Sequence, residues 1–211
     1  MALLASEGNS NEDRELIPEG LHSAVCYAVV DLGNQWKEGS SNGQSWAKWT
    51  ECITLLWEVP KFRDEFEGDD RPMVASREFT LSLHKKANLR PFLQGWRGKS
   101  FSSEELAGFD ISKLIGVSCQ LQIIHNEAGT WANVTAAMPA TKKLTPENKT
   151  ILFNIEDNTI PDKIPKFIAN KIMESKEWGD REEIGGSEPS QHGDDPGPSD
   201  DDYIPEDGVP F

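Results

Sequence analysis

Nineteen residues, GNQWKEGSSNGQSWAKWTE (33–51), hold three tryptophans and two lysines amid Gly, Ser and Asn: Trp36, Trp46 and Trp49, with Lys37 and Lys48. Small polar residues of that kind seldom bury several indoles, so the stretch reads as a loop with aromatic faces turned to water. An exposed indole beside an ammonium group offers a flat π surface for stacking and a positive charge for an anion. The alternative is that two of the three lie over one end of a β-barrel as apolar plugs.

A second stretch, FTLSLHKKANLRPFLQGWRGKSFSS (79–103), runs 25 residues without a carboxylate in a chain of net charge −15. It carries Lys85, Lys86, Arg90, Arg97 and Lys99. Such cations suit a phosphate backbone, with counterion release and sensitivity to salt as the signature. A solvated helix face would carry the same charges. Leu89, Phe92 and Leu93 belong to a core, whereas Trp96 fits either core or rim. Trp131 stands with Asn133 and Thr135 on the outward set of a strand. It fits equally a stacking platform and a place beneath a C-terminal helix. Lys142 and Lys143, in the acid-free window 128–146, extend the basic track.

Catalytic chemistry is harder to assemble. His22, His84, His125 and His192 show no metal-ligand spacing. Asp31 and the cluster EFEGDD (65–70) could hold a divalent ion, and a metal-dependent nuclease using the acids of 64–70 is the reading that would follow; a solvated turn accounts for the cluster better. There is no G-x-S-x-G, no P-loop and no dinucleotide fingerprint. A non-enzyme without metal or cofactor is the expectation. Cys26, Cys52 and Cys119, odd in number and widely spaced, argue against a disulfide framework and a cysteine zinc site. The opening MALLASEGNSNEDRE lacks the basic and apolar regions of a signal peptide, and no apolar run reaches bilayer length. An intracellular protein with no membrane partner is expected.

The elements that must hold these side chains are mostly strands. Residues 21–33 are apolar on both alternating sets, which suits a strand covered on both faces. Residues 50–59, 73–83, 117–125 and 130–138 alternate, and Trp57 shares the inward set with Ile53 and Leu55. The last two strands join in a hairpin through N-E-A-G. Between the third and fourth strands, Leu89, Phe92, Leu93 and Trp96 recur at helical spacing, and 102–106 and 110–116 open on a Ser and an Asp cap. An amphipathic helix over 164–178 closes the domain. The class is all-β with helical additions. Three strands, a helical insert and two strands fit a five-stranded OB-fold barrel, which binds oligonucleotides on the face of strands two and three. Another small barrel with a helical cap fits the same pattern.

Charge separates along the chain. Residues 180–211 hold eleven acids against Arg181 alone, and residues 1–20 five acids against Arg14, which leaves the body near neutral at −1. We therefore read a flexible arm at 1–18, a nucleic-acid-binding domain at 19–178 and a disordered acidic tail at 179–211. The tail ends in DDDYIPEDGVPF. Its acids (Asp200, Asp201, Asp202, Glu206, Asp207), with Ile204, Pro210 and Phe211, suit a partner that offers a small apolar pocket with a basic rim. A tether of this kind raises the partner's effective concentration.

That tip resembles the C-terminal tip of bacterial single-stranded DNA-binding proteins. The body resembles a bacteriophage family of OB-fold single-stranded DNA-binding proteins. The similar segments are P-E-G-x-H-x-A (18–24), D-L-G (31–33), W-E-V (57–59), S-L-H-K-K-A-N-L-R (82–90), W-R-G-K-x-F (96–101) and F-D-I-S-K-L-I-G (109–116). The resemblance implies sequence-tolerant binding of single-stranded DNA in replication or recombination, with replication proteins recruited through the tail. It leaves 1–17 and 139–178 unexplained. A rival from another class is an acidic adaptor or DNA-mimic inhibitor that binds host proteins and no nucleic acid.

Overall fold

A computed structural model describes residues 15–41, 43–66, 68–157 and 159–185. Strand β1 (Gly20–Ser41) pairs antiparallel with β2 (Gln44–Phe66), and β2 with β3 (Asp69–Thr80). On its other edge the first part of β1 pairs with β4 (Ser118–His125), which pairs with β5 (Ala132–Pro139). A short strand, β6 (Ile151–Phe153), joins β1 in parallel at residues 28–30. The path across the sheet is β3-β2-β1-β4-β5. The five expected strands are all present, and β6 is an addition. Among the described residues no backbone pairing joins β3 to β5, so the ladder itself closes no barrel.

The double apolar pattern of β1 is used in full. Ala24, Cys26 and Val29 enter one cluster with Ile53, Leu55, Trp57 and Leu121. Tyr27, Ala28, Val30 and Leu32 enter a second with Leu56, Phe153, Ile168 and Ile172. A register shift between Cys26 and Ala28 moves the alternation by one residue, as a β-bulge does.

Helix α1 (Leu89–Arg97) covers the first cluster with Leu89, Phe92, Leu93 and Trp96. The Trp57 ring meets those of Phe92 and Trp96 at 5.7 Å each. Trp96 is buried and its indole N–H donates to the Ser118 carbonyl at 3.1 Å, so it is core and not a ligand surface. Both expected caps are in place: Ser102 accepts from the Glu105 N–H at the head of α2 (Ser103–Ala107), and Asp110 from the Ser112 N–H at a 3₁₀ turn (Ile111–Leu114).

The stretch after β5, which the resemblance leaves unexplained, covers the second face. Glu58 is fully buried, and its carboxylate accepts the backbone N–H groups of Glu147 at 2.8 Å and Asn148 at 2.6 Å. That clasp brings the chain back to lay down β6. The expected closing helix is two: α3 (Lys166–Met173) and α4 (Lys176–Gly185). Ser175 separates them, donating to the Ile172 carbonyl and accepting from the Trp178 N–H.

Two boundaries are corrected. Residues 179–185, assigned to a disordered tail, continue α4, because Arg181 donates to the carbonyls of Ile155 and Asp157 and stacks on Trp178. The arm is not loose as far as 18, because Ile17 is buried in the first cluster. His125 meets the Ile17 carbonyl at 2.8 Å, and His22 the Pro18 carbonyl at 2.7 Å. The remaining arm (1–14) and the partner motif, from Asp200 to Phe211, lie outside the described residues.

All three cysteines are buried and unbridged. Burial pushes the Cys26 thiol up to about 12, and burial with the nearby Cys26 raises Cys119 as well. Thiolate is the reactive form. We expect Ellman's reagent to titrate no thiol in the native protein near neutral pH and three in denaturant; rapid native labelling would contradict this packing.

Candidate nucleic-acid interface

The stretch read as a loop between the first two strands is a ribbon. β1 and β2 stay paired beyond the core, with Trp36 opposite Trp49, Lys37 opposite Lys48 and Gly39 opposite Trp46. Cross-strand partners share a face and successive pairs alternate. Trp36 and Trp49 therefore occupy one face, and Lys37, Lys48 and Trp46 the other. The Trp36 and Trp49 rings meet edge to face at 5.3 Å, and the two residues are 52% and 41% exposed. Trp46 is half-buried because it lies across Gly39, where a Cβ would stand 2.5 Å from the indole. The Lys48 ammonium sits 5.7 Å from the centre of that ring.

The base of the ribbon is clamped. Gly33 (φ +66) sits at a register shift and donates its N–H to Asp31 at 2.9 Å. A side chain there would be strained, and its Cβ would meet the Glu177 carboxylate at 2.6 Å. Glu177, on α4, accepts both the backbone N–H and the side-chain amide of Asn34. Gln35 donates to the Lys171 carbonyl at 2.9 Å.

A cleft of about 520 Å³ opens between the edge strands and α3. Trp131 and Phe167 face it, edge to face at 5.9 Å, each nearly half exposed. Asn133 and Thr135 come from β5, Arg77 and Glu78 from β3, and Lys171 from α3. The Arg77 guanidinium donates to the carbonyls of Val134 at 3.0 Å and Thr135 at 2.7 Å, and so spans the two sheet edges. A smaller recess shares Arg77 and Glu78 with the cleft and adds Lys37 and Lys86. Burial works to raise the Glu78 carboxyl, but the hydrogen bond and charge of Lys171, and then Lys37, outweigh it and hold it below the usual carboxylate range.

The expected site residues divide. Lys37, Lys86 and Trp131 are brought together along the cleft and recess. Trp46 and Lys48 share the ribbon face of Lys37; Trp36 and Trp49 are on the opposite face. Lys85 is exposed beside Lys86, and Arg90 reaches back to the Leu83 carbonyl at 3.5 Å. Arg97 is ion-paired with Glu105 and stacked on Phe101 at 4.4 Å, which makes it a brace for the insert. Lys99 follows α1, and Lys142 and Lys143 follow β5; all three are exposed and none lines the cleft.

Sequence reasoning missed Arg77, Phe167 and Lys171. On the closing helix the buried stripe is Ile168 and Ile172, and Phe167 points out of it. From Cys52 to Val59 both faces of β2 pack into the two cores. On the expected face of strands two and three, Thr54, Ser76, Arg77 and Glu78 line the cleft beside α3. Near 64–70, Asp70 pairs with Arg63 and Asp69 with Arg71, and among the described residues no group of three metal-ligating side chains is gathered. No described helix is long and apolar enough to cross a membrane.

Glu78 and Glu177 both titrate below the ordinary carboxyl value of 4.5 in the fold. For Glu177, too, burial opposes the shift and the Asn34 hydrogen bonds prevail. The unfolded chain therefore takes up these protons first as pH falls. Their stabilisation is complete above the unfolded value and is lost as pH drops through the folded values. Glu51, raised by burial and by Asp31 and Glu177, acts with the opposite sign. Urea midpoints should fall between about pH 5 and pH 3, and Glu78→Gln should flatten the fall; an unchanged acid limb in that variant would contradict the assignment.

No protein-family profile, no curated protein and no solved structure matches this chain.

Proposed function

We propose that this protein binds single-stranded DNA without strong sequence preference, as a non-enzymatic coat during DNA replication or recombination in a bacteriophage setting. The observation that carries the reading is the grouping of exposed aromatic rings with cations on elements that project beyond the two cores. Trp36 and Trp49 stand on the ribbon, and Trp131 and Phe167 face a cleft with Arg77 and Lys171. Bases stack on such rings whatever their identity, while lysine and arginine take the phosphates.

The strand path supports an OB-type barrel. Its order is β3-β2-β1-β4-β5 with helices between β3 and β4, and Arg77 of β3 donates across the open edge to carbonyls of β5. On that fold the β1–β2 connection and the β4–β5 connection flank the oligonucleotide. Here they are the tryptophan ribbon and the turn that leads to Trp131. The acidic stretch 186–211, by its charge, recruits replication proteins and competes with DNA for the cationic strip.

Titration with a single-stranded 30-mer tests this. We expect quenched tryptophan fluorescence, weaker binding as salt rises, and comparatively little affinity for duplex. Trp131→Ala should weaken binding by about 1–3 kcal/mol, and Trp36→Ala with Trp49→Ala by a similar amount per ring. Removing 186–211 should preserve or tighten DNA binding while abolishing partner capture. Unchanged fluorescence and no binding at low salt, with or without 186–211, would return the protein to the adaptor reading.

A further inference from the structure

Glu78 is out of place in a strip meant for phosphates. It projects where the cleft and the recess meet, and both are lined by it. Its carboxylate lies 3.4 Å from the Lys37 ammonium and accepts a hydrogen bond from Lys171. The ribbon, β3 and α3 are thus joined through one acid. Lys37 also lies opposite Lys48 across the ribbon, where like charges repel. Arg77, the neighbouring cation, already donates to two carbonyls.

We infer that Glu78 is a counter-charge gate: it occupies Lys37 and Lys171 in the free protein and sets how tightly, and with what salt dependence, the strip takes a polyanion. This rests on the DNA-binding reading and adds to it a residue that sets affinity and salt dependence. An extended strand that runs from Trp131 towards Lys86 passes over Glu78. A phosphate can engage either lysine only by displacing the carboxylate or by lying against it, and like charges at that distance repel. A neutral isostere removes the competing carboxylate from the strip. Each phosphate neutralised on a single strand adds about 0.7 to the slope of log K against log salt.

The test uses two variants of the full chain that break the same bridge from opposite sides, Glu78→Gln and Lys171→Gln. Binding of a fluorescein-labelled dT30 is followed by anisotropy across a salt series, and thermal unfolding confirms that both variants are folded at the assay temperature. A gate predicts opposite signs. Glu78→Gln should tighten binding at least about threefold at low salt and steepen the slope by about 0.7–1.4. Lys171→Gln should weaken binding and leave the slope flatter. A purely structural bridge predicts the same direction for both. If wild type binds dT30 and the variants shift together, or Glu78→Gln changes nothing, the gate is overturned while DNA binding stands. If neither wild type nor Glu78→Gln binds, the DNA-binding reading falls and the gate with it.

Discussion

Every residue of β1 from Ala24 to Val30 is buried, and the same strand is paired along both edges. A strand in that position cannot leave either face to water, because each face would expose several large apolar side chains at about 25 cal/mol per Å². The chain must therefore supply two covers. The insert after β3 supplies the first with α1, and the stretch after β5 supplies the second with β6 and α3. The buried Glu58 fits this scheme. A carboxylate in so dry a place is tolerable only when its oxygens are hydrogen-bonded, and the two N–H groups it accepts are those that route the second cover into place.

With both sheet faces committed, surface for a ligand remains only where strands outrun the cores or where the sheet ends. The ribbon is the first case. Its tryptophans cannot reach either core, and Trp36 and Trp49 shield one another as far as an edge-to-face pair allows. The gap between β3 and β5 is the second case, roofed on one side by α3. These two places also hold the cations that are drawn towards Glu78.

Much of the architecture is legible in the residues. The doubly apolar run at 21–33, the inward set Ile53, Leu55 and Trp57 of β2, and the Ser102 and Asp110 caps each have one local cause, and each is found as expected. In β5 the alternation breaks at a register shift, so that Ala137 is buried and Ala136 exposed. The ribbon was not legible, because Gly, Ser and Asn mask a pairing that cross-strand rings sustain. Nor could the boundaries of arm and tail be read, since Ile17 and Arg181 are held by distant partners with no mark in the local sequence. The site was half legible. Indole and lysine content pointed to the ribbon and to Trp131. Arg77, Phe167 and Lys171 meet only because α3 crosses the open edge, a relation that no spacing within one segment encodes. Trp96, which the sequence left between core and rim, is core, and Arg97, counted among the cations, braces the insert.

The position of Arg77 has a consequence for how copies of the protein coexist. A sheet with open edges offers bare carbonyls to any passing strand, and edge-to-edge templating is a common route to self-association. Here the guanidinium already occupies the carbonyls of Val134 and Thr135. A second molecule that tried to extend the sheet at β5 would have to evict a charged donor whose hydrogen bonds are worth about 1.5–3 kcal/mol each. The residue that shapes the cleft therefore also guards that edge against polymerisation, and does so without a single additional backbone bond.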